Sequence, residues 1–130
     1  MSEAAHVGLW QTLRLQDPER MLAWFGAVGF VEHAVHRDPQ SGTVQHLELL
    51  WPGGGGLMAG PERDTAAWPA RSGTAATYLV CEDPDAVVQA AVAAGASVID
   101  PVREQDYGGR SGTLRDPEGN LWSLGSYRPG

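Results

Sequence analysis

The chain contains no lysine: its nine basic Lys/Arg residues are all arginine, set against sixteen acidic residues, for a formal net charge of −7. That balance argues against a nucleic-acid partner, whose phosphate backbone is held by clustered cations. The chain also lacks an uninterrupted apolar run of roughly eighteen residues, the length a membrane-spanning helix requires. Met1-Ser2-Glu3-Ala4-Ala5-His6 shows neither a basic stretch nor an apolar signal core, so the expected location is the cytoplasm, with no membrane partner. Cysteine occurs once, at Cys81. An intramolecular disulfide is excluded, which fits a reducing compartment. Cys81 closes the strand-like run Tyr78-Leu79-Val80-Cys81 and reads as a small packing residue rather than a nucleophile. The glycine run Gly53 to Gly56 opens no helix and lacks a following Lys-Ser/Thr, so it is not a phosphate loop.

What the chain does have is a repeat. Asp17-Pro18 opens a helical pattern closing at Gly29, and Asp83-Pro84 opens one closing at Gly95, an offset of sixty-six residues. Asp supplies an N-cap, Pro suits the first helical position, and Gly suits the residue past the end. A second pair follows, with Trp51-Pro52-Gly53-Gly54-Gly55-Gly56-Leu57-Met58-Ala59-Gly60 aligning with Asp116-Pro117-Glu118-Gly119-Asn120-Leu121-Trp122-Ser123-Leu124-Gly125. Internal repetition identifies equivalent positions within one sequence.

Alternation and turn signals predict strands over 8–15, 30–36, 43–50 and 57–59, then 75–81, 97–102, 110–114 and 120–124, with a helix after the first strand of each set. The fold class is therefore α+β, built from two βαβββ modules. The expected organisation is one domain over residues 1–130, with module one at about 7–60, a linker at about 61–73 and module two at about 74–127. Each half is marginal alone, so the modules are expected to share a core or to pair across a homodimer.

Trp24 and Phe25 have helical core spacing. Trp122 is out of phase with Ser123 and pairs with Leu124, which makes it a core residue too. Trp51 lies in a turn and Trp68 in the linker; both read as pocket rim or dimer contact. Alternation puts Trp10, Thr12 and Arg14 opposite Leu9, Leu13 and Leu15, and puts His46, Glu48 and Leu50 opposite Leu47 and Leu49. His46 and Glu48, two apart on one face, form a candidate acid/base pair or displaced metal ligands. His33 and His36, three apart, are not expected to share a strand face. Asp116-Pro117-Glu118-Gly119 reads as a β-turn.

The paired βαβββ order, Asp17-Pro18 with Trp24-Phe25 and Gly29-Phe30, Asp83-Pro84 running to Gly95, and above all Tyr107-Gly108-Gly109-Arg110 with Asp116-Pro117-Glu118-Gly119-Asn120-Leu121-Trp122 resemble the vicinal oxygen chelate superfamily. That superfamily includes glyoxalase I, extradiol dioxygenases and bleomycin-binding resistance proteins. The resemblance implies a cup-shaped mixed sheet and a homodimer. In the enzymes it implies divalent-metal ligands at positions matching Trp10, Met58, Ala76 and Ser123 here. These four are not a ligand set, because metals in such sites take imidazole or carboxylate. No metal and no cofactor is expected. The cup is expected instead to hold a hydrophobic, planar aromatic antibiotic or natural product, lined by Trp10, Thr12, His46, Glu48, Leu50, Trp51, Met58, Trp68, Tyr78, Tyr107, Arg110 and Ser123. Arg110 pairs with Asp116 or with the ligand. The function expected is sequestration without turnover. The alternatives are a glyoxalase-like lyase or isomerase and a metal-free enzyme acting on a biosynthetic intermediate.

Overall fold

The computed structural model describes residues 6–63 and 71–129; Trp68 and part of the expected linker lie outside the described residues. The chain divides into two compact units, Met1–Ser72 and Gly73–Gly130. The first carries β1 (Trp10–Leu15), α1 (Pro18–Val28), β2 (Val31–Arg37), β3 (Val44–Leu50) and β4 (Gly56–Pro61). The second carries β5 (Ala76–Val80), α2 (Pro84–Ala93), β6 (Ser97–Glu104), β7 (Arg110–Arg115) and β8 (Leu121–Gly125). Each unit is a four-stranded mixed sheet, ordered β1-β4-β3-β2 and β5-β8-β7-β6. In each, the first strand runs parallel to the last and the other pairings are antiparallel. The predicted βαβββ order thus appears twice. Among the described residues no helix is long and apolar enough to cross a membrane.

Local chemistry sets the helix ends. The Asp17 carboxylate accepts from the Arg20 amide at 3.1 Å, and the Asp83 carboxylate accepts from the Ala86 amide at 3.1 Å. Gly29 adopts φ 127° just past α1, where the Gly29 and Phe30 amides both donate to the Phe25 carbonyl. A side chain there would be strained.

The two cores distribute their bulk differently. In the first unit the helix brings Met21, Trp24, Phe25 and Val28 against Leu13, Leu15, Leu47, Leu49, Leu57 and Ala59. In the second the residues equivalent to Trp24 and Phe25 are Ala90 and Ala91, while Trp122 on β8 replaces Leu57 of β4. A small helix face is thereby matched by a large strand side chain, so the layer stays filled. Trp24 and Trp122 are both about 1% exposed, as their sequence phase predicts. The Trp122 Nε1–H donates to Asp116 Oδ2 at 2.9 Å. Asp116 also accepts from the Asn120 side chain at 2.9 Å and from the Glu118 and Asn120 amides at 2.8 and 3.1 Å. Asn120 Oδ1 in turn accepts from the Ala75 amide at 3.0 Å. The Asp116–Gly119 turn is therefore a buried polar hub joining β8 to the start of the second unit.

Candidate functional site

In the first unit α1 covers one face of the sheet. The opposite face carries the side chains singled out by strand alternation. Register arranges them in rows across the strands: Trp10 pairs with Gly56 and Gly56 with Leu50, Thr12 pairs with Met58 and Met58 with Glu48, and His46 pairs with His36. The Trp10 indole lies across β4. A Cβ at Gly56 would sit only 2.3 Å from its Cε3 and 2.5 Å from its Cζ3, so the ring occupies the space that the missing side chain leaves. The indole Nε1–H donates to the Val7 carbonyl at 3.3 Å. Trp10 is thus a half-buried plate laid on the sheet, with Met58 and Leu50 beside it.

The polar part of the face is a cluster around Glu48. His46 Nε2–H donates to Glu48 Oε2 at 2.9 Å, and His33 Nε2 stands 3.9 Å from Oε1. The His36 ring lies 5.7 Å from that of His46, tilted by 32°. The expectation that His33 and His36 occupy opposite faces is corrected here. The β2–β3 register shifts between Glu32 and Ala34; the extra residue of this bulge sets His33 beside Ala34, opposite Glu48. Arg14, on the same strand phase as Trp10 and Thr12, is 8% exposed and donates from Nη1 to the Pro61 carbonyl at 3.2 Å. Burial is the main influence lowering its pKa, with Arg63 adding to it.

A cavity of about 480 Å³ opens at one end of this sheet, lined by residues 6–9, Leu50, Trp51 and residues 52–55. It includes two of the predicted residues, Leu50 and Trp51, and not Trp10. The hydrogen-bonding side chains lie on the open sheet face instead, so the chemistry is centred there and the cavity extends it. Trp51 packs inward on Phe30, ring centroids 5.0 Å apart, and over Gly29.

The second unit carries Tyr78, Tyr107, Arg110 and Ser123. Tyr78 is in register with Ser123, which shares a 2.9 Å hydrogen bond with Thr113. The Tyr78 hydroxyl donates to the Tyr127 carbonyl at 2.8 Å, and Tyr107 meets the Tyr127 ring edge-on at 5.2 Å. All three tyrosines therefore gather in one patch. Tyr127 escaped the sequence reading because it follows the last strand, where no periodicity marks it. Burial raises the Tyr78 pKa most, with Tyr107, Cys81 and Tyr127 adding to it and the bond to the Tyr127 carbonyl opposing. The expected pair of Arg110 with Asp116 is not formed. Asp116 is engaged in the turn hub, and the guanidinium instead forms a two-pronged pair with Asp85, both contacts 3.0 Å, with Glu104 at 3.5 Å. Arg110 holds the Asp85 carboxyl below the usual carboxylate range, chiefly through its hydrogen bonds. Burial pushes the Cys81 thiol up, with Asp83 adding to the effect and a backbone hydrogen bond opposing it, which disfavours a reactive thiolate.

The metal of the related enzymes does not fit these residues. Trp10 offers only an N–H donor and Met58 a weak thioether; Ala76 offers nothing and Ser123 is already bonded to Thr113. Among the described residues no group of three or more His, Cys, Asp or Glu is arranged to hold a metal ion.

A model of the Glyoxalase/Bleomycin resistance protein/Dioxygenase superfamily matches residues 4–124, and the chain belongs to that superfamily. TioX from Micromonospora sp. ML1 is 28% identical, with a TM-score of 0.70 over 92% of this chain and 98% of that one. A glyoxalase/bleomycin resistance protein from Streptomyces sp. CB03234, 21% identical, shares the fold with a TM-score of 0.69 over 90% of this chain and 97% of that one. An uncharacterized Mycobacterium bovis protein is 44% identical over 48 residues, which is 37% of this chain and 32% of that protein, so the match spans about a third of the relative's length.

Proposed function

We propose that the protein binds a hydrophobic, planar aromatic antibiotic or natural product on the open face of its first sheet and sequesters it without metal and without turnover, as a self-resistance protein does. The observation that carries this reading is the Trp10 plate over Gly56, flanked by Met58 and Leu50. Two of these groups stand where enzymes of the superfamily hold metal ligands. Aromatic stacking contributes ~0.5–1.5 kcal/mol beyond area burial. Burying ~300 Å² of apolar ligand surface at ~25 cal/mol per Å² adds several kcal/mol before association costs, which suits micromolar binding. Membership of a superfamily that includes bleomycin resistance proteins is consistent with this reading. In this reading the protein acts in the cytoplasm as a homodimer.

Tryptophan-fluorescence titration with an anthraquinone-containing antibiotic tests the reading. Saturable quenching is expected, with Trp10→Ala weakening affinity about tenfold or more while the melting curve stays cooperative. Unchanged affinity in a folded variant removes Trp10 from the site. A second reading draws on the 2.9 Å His46–Glu48 bond, which orients a carboxylate as a general base in a metal-free enzyme. Recovery of the ligand after hours with the protein separates the two: intact ligand supports sequestration and a converted product supports the enzyme.

A further inference from the structure

We infer that Glu48 receives a protonated amine of the bound aromatic ligand, so that the face selects aromatic compounds carrying a cationic side chain. This rests on the aromatic-binding reading above. Three observations carry it. First, the Glu48 carboxylate is pre-oriented: Oε2 takes the His46 hydrogen bond at 2.9 Å, which fixes one oxygen. Second, Oε1 keeps its capacity. It forms no hydrogen bond among the described residues; His33 Nε2 stands 3.9 Å away, within ion-pair range and beyond hydrogen-bond reach. The side chain is 27% exposed, dry enough to strengthen a charge-assisted bond and open enough for a ligand to reach. Third, Glu48 shares a cross-strand row with Met58 and Thr12, next to the row of Trp10. An ammonium on a short arm of a ring lying against Trp10 comes within reach of Oε1. The fixed cation on this face, Arg14, is tied by Nη1 to the Pro61 carbonyl at the strand end. The chain's net charge of −7 favours the approach of a cation as well.

The test pairs an aminoethylamino-anthraquinone with its N-acetyl derivative, which keeps the ring and loses the charge, titrated calorimetrically into native protein and Glu48→Gln. The amine is expected to bind native protein about tenfold more tightly than the acetyl derivative. In Glu48→Gln that preference disappears, and the two compounds bind with affinities equal to one another. Equal affinities in the native protein overturn the inference and leave the aromatic site standing. A preference that persists in Glu48→Gln also overturns it, and assigns the selectivity to the overall charge. If neither compound binds, the aromatic-binding reading itself fails, and the inference with it.

Discussion

Gly56 and Trp10 are one feature seen from two strands. The indole fits because position 56 has no side chain, and a methyl group there would stand 2.3 Å from a ring carbon. Those atoms are in the body of the ring, so the indole must swing away rather than flex at its tip. Gly56→Ala is therefore expected to shift the tryptophan emission and to weaken ligand binding as much as Trp10→Ala, although it touches no ligand. An unshifted emission spectrum with native affinity contradicts this. Asp116 is the corresponding point in the second unit, where stability rather than binding is at stake. It accepts from two side chains and two amides. Asp116→Ala leaves the buried Trp122 and Asn120 donors without this acceptor, and is expected to cost ~2–4 kcal/mol in denaturant unfolding. A loss under about 0.5 kcal/mol, the range of ordinary surface changes, contradicts the hub.

At the scale of elements, strands and helices were legible because their signals are local. Asp-Pro at each helix start and Gly past each end act through the nearest amides and carbonyls, and the helices formed between them, at Pro18–Val28 and Pro84–Ala93. Removing either cap, by Asp17→Ala or Asp83→Ala, is expected to destabilise the chain by ~1 kcal/mol, read as a lowered unfolding midpoint with an unchanged slope. Alternation placed Trp10, Thr12, His46, Glu48 and Met58 on one face, because strand period is fixed. Two things escaped it. The bulge in β2 adds a residue to one strand without a glycine or proline to announce it, and so the convergence of His33 on Glu48 was invisible. The pairing of Arg110 with Asp85 spans twenty-five residues and two elements, and one-dimensional spacing carries no information about which of many carboxylates a guanidinium meets.

Over the whole molecule, duplication provides two copies of one sheet with different furnishings. The first unit places an indole, a thioether and a His-Glu-His cluster on its open face. The second places Tyr78, Thr113 and Ser123 at comparable register positions and gathers its three tyrosines nearby. At the positions matching the metal ligands of enzymes of the superfamily stand Trp10, Met58, Ala76 and Ser123, none of which carries an imidazole or a carboxylate. Superfamily membership leaves the activity open, because one fold hosts many functions. The central claim is that binding is metal-free. The measurement that bears on it most directly is calorimetric titration of exhaustively chelated protein with an anthraquinone-containing antibiotic, repeated after a divalent cation is restored. The account predicts the same affinity in both states and intact ligand recovered from the complex. Binding or conversion of the ligand that appears only when the cation is restored would contradict it.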